Sequence, residues 1–217
     1  MQAILLATAE NEKLQPLTQA IPGPMLPVLN RPVMAYPLEL LARVGFKEVL
    51  VSLYHQGGAI ESYFGSGRRW GVHLNYVLQR QEWGAAGALK WAASLLKEAF
   101  IVLPADSLVD VELEAAVVQH LACGSAATVI AHSQPYGPPV RLDVASRAVC
   151  RTGGNYTLYQ TGAYIFEPAV LEYIPARTDF DIIQDLLPAL LEGGAPVHVY
   201  QMAGYWNPLT TFEKYQC

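Results

Sequence analysis

Apolar residues in this chain fall in short unbroken runs, and between them come longer stretches where they recur every three or four positions. That alternation predicts strands buried on both faces, separated by amphipathic helices, which is the pattern of an α/β domain. The first run, Gln2-Ala3-Ile4-Leu5-Leu6-Ala7-Thr8, has no polar face and suits an interior strand of a parallel sheet. Further strands are expected at 48–52, 73–78, 100–103, 126–131 and 197–200. Helices are expected at 34–44, 59–64 and 112–121, with Gly45 and Gly65 as stops for the first two. Pro32 suits a first helical turn, whereas Pro37 lies inside the apolar period, so that helix must begin late or kink. A Gly/Pro-rich crossing at Tyr136-Gly137-Pro138-Pro139 opens a stretch to Tyr159 that reads as a small hairpin lid.

Composition adds limits rather than direction. The 217 residues suit one large α/β domain or two small ones, and 52% hydrophobic against 15% charged residues is ample for a core. A net charge of −5 leaves no basic footprint, so nucleic acid is not an expected partner. No apolar run reaches transmembrane length and no signal-peptide layout opens the chain, so no membrane partner is expected. Cys123, Cys150 and Cys217 are odd in number and widely spaced, which reads as free thiols in a reducing cytoplasm.

Chemistry enters at the loop after the first strand, because open α/β sheets bind ligands at the carboxyl ends of their strands. Leu6-Ala7-Thr8-Ala9-Glu10-Asn11-Glu12-Lys13-Leu14-Gln15-Pro16-Leu17-Thr18, followed by Pro22-Gly23-Pro24-Met25-Leu26-Pro27-Val28, resembles the opening of the sugar-1-phosphate nucleotidylyltransferases. Their pattern is L-A-A-G-x-G-T-R-L-x-P-L-T, then P-K-P-M-x-P-V. The scaffold positions match and the chemical ones differ: Ala9 and Asn11 stand for glycines, Glu12 for threonine, Lys13 for arginine and Gly23 for lysine. Glycines in such a loop bring bare N–H groups against phosphate oxygens, and the arginine and lysine neutralise charge that develops during transfer. Lys13 keeps a point charge without the bidentate fork. The same stretch also suits a plain solvated loop.

The resemblance continues through most of the chain. Gln79 precedes Gly84-Ala85-Ala86-Gly87-Ala88 by five residues, as a base-reading glutamine precedes a G-T-A-G-A turn in the family. Gln79 offers both a donor and an acceptor to a base edge, while Gly84 and Gly87 equally suit an ordinary helix start with close packing. Phe100-Ile101-Val102-Leu103-Pro104-Ala105-Asp106 is similar to F-L-V-L-N-G-D, whose aspartate holds Mg²⁺. Thr161-Gly162-Ala163-Tyr164-Ile165-Phe166-Glu167-Pro168 follows N-T-G-I-Y-V-F-x-P with Gln160 in the asparagine position, and residues 180–191 resemble the family's F-x-x-D-L-L-P-x-L-L helix, which implies a helix there. Gly204-Tyr205-Trp206-Asn207 stands where the family has G-Y-W-x-D-I-G-T-P or G-Y-W-D-I-G-T-P, which puts the second metal aspartate on Asn207. The family's E-K-P segment is replaced by Val149-Cys150-Arg151-Thr152-Gly153-Gly154.

The resemblance implies a Rossmann-like, doubly wound, mostly parallel mixed sheet over residues 1–217, with a further C-terminal domain expected beyond them. It places nucleotide on Leu6, Ala7, Ala9, Asn11, Gln79, Gly84 and Gly87, and substrate on Gly162, Tyr205 and Trp206. Lys13 and Asp106 become the catalytic pair, and Asp106 and Asn207 the metal ligands, for Mg²⁺ if the domain is active and for no cofactor otherwise. The lost glycines, cations and carboxylate together favour a catalytically impaired regulatory or assembly subunit that binds nucleotide or nucleotide-sugar, within a homo- or hetero-oligomer. The alternative is an active enzyme forming NDP-sugar and pyrophosphate.

Overall fold

The computed structural model describes residues 1–7, 12–54, 56–136 and 158–216. Ala9, Asn11 and nearly all of the expected lid lie outside them. Seven strands form the main sheet: β1 (Gln2–Ala7), β2 (Glu48–Leu53), β3 (His73–Leu78), β4 (Phe100–Pro104), β5 (Ala127–His132), β6 (Tyr159–Phe166) and β7 (Val197–Gln201). Their order is β7-β5-β6-β4-β1-β2-β3, a mixed, mostly parallel sheet as expected. The chain divides into two compact units that share β4: one holds Gln2–Glu82, Leu103–Asp110 and Tyr205–Cys217, the other Met1, Trp83–Val102 and Val111–Gly204.

In the first unit β1 pairs parallel with β2, and β2 with β3. Ala3, Ile4 and Leu5 are no more than 1% exposed, which explains the absence of a polar face in their sequence. Removing one methyl there leaves a small void, so Ile4→Val is expected to lower unfolding stability by about 1 kcal/mol in urea titrations. The crossover α1 (Ala35–Arg43) starts late enough to hold Pro37 in its first turn, where no intrahelical N–H is required. Phe46 N–H donates to Leu41 O and Gly45 N–H to Ala42 O while Gly45 takes φ +94°, closing the helix as its glycine predicted. The second crossover is α2 (Gly57–Phe64), ending at Gly65 with φ +52°.

In the second unit β6 runs antiparallel to both β4 and β5, and β7 pairs parallel with β5. The helices here are α3 (Gly84–Trp91), α4 (Leu113–Ala122) and α5 (Leu187–Glu192). The single helix expected at 180–191 begins instead with a π-turn, Ile182–Leu186, in which Leu186 N–H reaches Asp181 O. Pro188 has no N–H with which to continue a regular ladder, which accounts for the irregular start.

His120 of α4 is 1% exposed and is held by Thr128 Oγ1 at 2.8 Å and Glu167 Oε1 at 3.4 Å. Burial lowers its pKa from the ordinary 6.5 and Glu167 opposes part of that shift; burial also lowers that of His198, whose Nδ1 lies 2.7 Å from Ser125 Oγ. A folded-state pKa below the unfolded one means that the unfolded chain binds more protons as pH falls, so stability is lost downward through 6.5 toward the folded value. The thermal midpoint is therefore expected to fall between pH 7 and pH 5, and to fall less in His120→Asn.

Candidate active site

Within the first unit the carboxyl ends of β1 and β4 are tied together, because Ala105 N–H donates to Leu6 O at 3.0 Å. That bond fixes the turn 105–107 and sets Asp106, half-buried, beside the end of β1, where Leu6 and Ala7 lie. The chain then forms a two-residue strand, Leu108–Val109, antiparallel to Trp206–Asn207 with Leu108 opposite Asn207, and Asp110 N–H donates to Tyr205 O at 2.8 Å. The ribbon thus joins the segments that carry Asp106 and Asn207, which are a hundred residues apart in the chain. Trp206 is 2% exposed and belongs to the core, whereas Tyr205 is 55% exposed.

Asn207 is only 4% exposed and its amide is committed. Oδ1 accepts from Leu209 N–H at 3.0 Å, and Nδ2 donates to Lys214 O at 2.8 Å, so the side chain caps the turn into α6 (Phe212–Gln216). Neither Asn207, where the resemblance puts the second metal aspartate, nor the following Pro208 has a carboxylate. Among the described residues no three His, Cys, Asp or Glu side chains group to hold a metal. Asp106 nevertheless fits a Mg²⁺ that arrives with a triphosphate, since that ion takes one or two carboxylates and leaves the rest to phosphates and water. Replacing Asn207 by aspartate would remove the donor to Lys214 O and bury a charge against a carbonyl. Asn207→Asp is expected to destabilise the protein by about 1–3 kcal/mol, seen as a lower thermal midpoint.

Lys13 is exposed on a 3₁₀ turn, Glu12–Leu14, anchored by Leu14, which is buried with Leu26, Val33 and Leu209. Gly23 is buried in another 3₁₀ turn, Gly23–Met25, whose Pro24 O accepts from Met34 N–H at 3.0 Å. Gln79 at the end of β3 is 4% exposed, and its Nε2 donates to Ser52 Oγ at 3.0 Å. The amide expected to read a base is thus bonded to the neighbouring strand.

In the second unit Gly84, at φ +65°, opens α3, and a Cβ there would come within 2.6 Å of Phe180 O. A Cβ at Gly87 would meet Trp83 Cβ at 2.6 Å and Thr178 O at 3.0 Å. Ala86 and Gly87 N–H groups both donate to Phe180 O. These glycines admit the backbone at 178–180, the close-packing use that the sequence left open. Gly162, at φ +81°, lies in β6 where its register with β5 shifts, and Thr161 Oγ1 donates to Ile130 O there.

A cavity of about 420 Å³ in the first unit, for which no sequence motif stands, is walled by Val28, Tyr36, Leu108, Tyr205, Asn207 and Lys214 among others. Lys214 donates to Thr210 Oγ1 at 3.3 Å, and burial, then the charge of Lys13, holds its pKa below 10.5.

The family described as nucleotidyl transferase matches residues 2–216. The chain is 34% identical to a UTP–glucose-1-phosphate uridylyltransferase of Synechocystis, with 95% of the chain and 59% of that protein covered. Identity to a mannose-1-phosphate guanylyltransferase of Mycobacterium tuberculosis is 26%, over 99% of the chain and 62% of that protein. The chain therefore spans about three fifths of the length of these curated relatives. Among solved structures, HddC from Yersinia pseudotuberculosis superposes with a TM-score of 0.83 at 18% identity, covering 99% of this chain and 96% of that one, which shows a shared fold.

Proposed function

Because the chain belongs to the nucleotidyl transferase family, we propose that it is a sugar-1-phosphate nucleotidylyltransferase domain whose turnover is slow. In the reaction a phosphate oxygen of the sugar 1-phosphate attacks the α-phosphorus of an NTP. The bond from that phosphorus to the bridging oxygen breaks, and NDP-sugar and pyrophosphate leave. The observation that carries this reading is the 34% identity to a uridylyltransferase over 95% of the chain. It makes UTP and glucose 1-phosphate the first substrates to try.

Three side chains have distinct tasks in this reading. Lys13, exposed on its anchored turn, attracts the phosphate chain. Asp106 is the carboxylate that would hold Mg²⁺, which supplies neutralisation of phosphate charge when bound. Tyr205 is exposed enough to stack on a sugar. Slow turnover follows from what is missing, since each lost electrostatic donor typically costs about a hundred- to a thousandfold in rate. Cys123 is in no disulfide, which suits a reducing, cytoplasmic setting.

A second reading, nucleotide or nucleotide-sugar binding without turnover in an oligomeric assembly, is favoured by the committed amide of Asn207. Pyrophosphate release measured with and without sugar 1-phosphate separates the two. Sugar-dependent release supports the enzyme, and nucleotide binding without release supports the second reading.

A further inference from the structure

Lys214 belongs to none of the motifs that point to the site, yet the fold brings it there. It lines the cavity of about 420 Å³ together with Tyr205 and Asn207. Its backbone is fixed at both polar atoms: Lys214 O accepts from Asn207 Nδ2 at 2.8 Å, and Lys214 N–H donates to Thr211 Oγ1 at 3.4 Å. The next residue, Tyr215, donates to Pro27 O at 2.6 Å and packs against the cluster that contains Leu14. Leu14 follows Lys13, so one apolar cluster anchors the turn that carries Lys13 and the helix that carries Lys214. Burial first, and then the charge of Lys13, lowers the pKa of the Lys214 ammonium.

Two like charges held near one another repel, and an anion carrying several charges between them turns repulsion into two attractions. A phosphate chain has that character.

We propose that Lys214 is a phosphate-binding residue, which with Lys13 clasps the pyrophosphate portion of the nucleotide. The proposal rests on the nucleotidyltransferase reading.

The test is calorimetric titration of the full chain with inorganic pyrophosphate, UTP and uridine, using wild type, Lys214→Met, Lys214→Arg and Lys13→Met. Lys214→Met is expected to weaken pyrophosphate and UTP about tenfold, as loss of one hydrogen bond to a charged group does. Lys214→Arg should stay near wild type, uridine binding should not change, and the thermal midpoint of Lys214→Met should hold. A steeper salt dependence in wild type than in Lys214→Met would support the same contact. Wild-type affinity in Lys214→Met overturns the proposal and leaves the nucleotidyltransferase reading standing. Loss of binding in both Lys214 variants together with a fallen thermal midpoint shows a structural residue and also overturns it. Failure of wild type to bind pyrophosphate or any NTP overturns the proposal and the reading together.

Discussion

Asp106→Asn is expected to reduce sugar-dependent pyrophosphate release by about a hundredfold or more, with little change in thermal midpoint. The size follows from the typical cost of one lost electrostatic group at a centre where charge develops. The fold is expected to survive because the substitution leaves in place the backbone bond from Ala105 N–H to Leu6 O, which holds the turn that carries half-buried Asp106. Asparagine preserves shape and loses charge, so the comparison isolates the carboxylate. Equal release by wild type and Asp106→Asn, measured with a coupled pyrophosphate assay at saturating UTP, would remove Asp106 from the mechanism.

The second large effect is a gain. Lys13→Arg combined with Gly23→Lys is expected to raise turnover by about a hundredfold or more, because it returns a bidentate fork and a second cation to the phosphate loop. Lys13 tolerates the change easily, being exposed on a turn whose anchor is the neighbouring Leu14. Gly23 is buried, so the added side chain must reach out of its 3₁₀ turn, and urea unfolding of the double variant checks that the fold survives. Single-turnover rates give the comparison. A folded double variant no faster than wild type would show that charge at this loop does not limit the reaction.

Much of the fold was legible because buried parallel strands and glycine-terminated helices leave strong signatures. The strand expected at 73–78 is β3 to the residue, and the stops at Gly45 and Gly65 both take positive φ. Pro37 left a kink or a late start open for α1; the late start is what forms, and Pro32 lies in the two-residue strand Arg31–Pro32 rather than in a helical turn. The π-turn at Ile182–Leu186 was not legible, since its residues have the same apolar period as a regular helix. Two-residue strands such as Leu108–Val109 and Trp206–Asn207 are too short to show any period, so the ribbon that joins the Asp106 and Asn207 segments had no signal.

The site was harder to read than the sheet. The resemblance makes Asn207 a metal ligand, but whether its amide is spent on the turn into α6 depends on Leu209 and Lys214, whose positions only the fold supplies. Gly84 and Gly87 show a related ambiguity: a glycine that admits a ligand and one that admits a neighbouring backbone look alike in sequence, and here the backbone at 178–180 is what approaches them. Lys214 is one charged residue in a short polar helix, and no spacing distinguishes it from a solvated lysine.

The most direct test is to incubate the purified chain with UTP, glucose 1-phosphate and Mg²⁺ and to measure pyrophosphate and UDP-glucose together. The expected result is slow, sugar-dependent release of the two products in equal amounts. No release above the protein-free blank with any NTP and sugar 1-phosphate, from a chain that binds nucleotide, would contradict the enzymatic account.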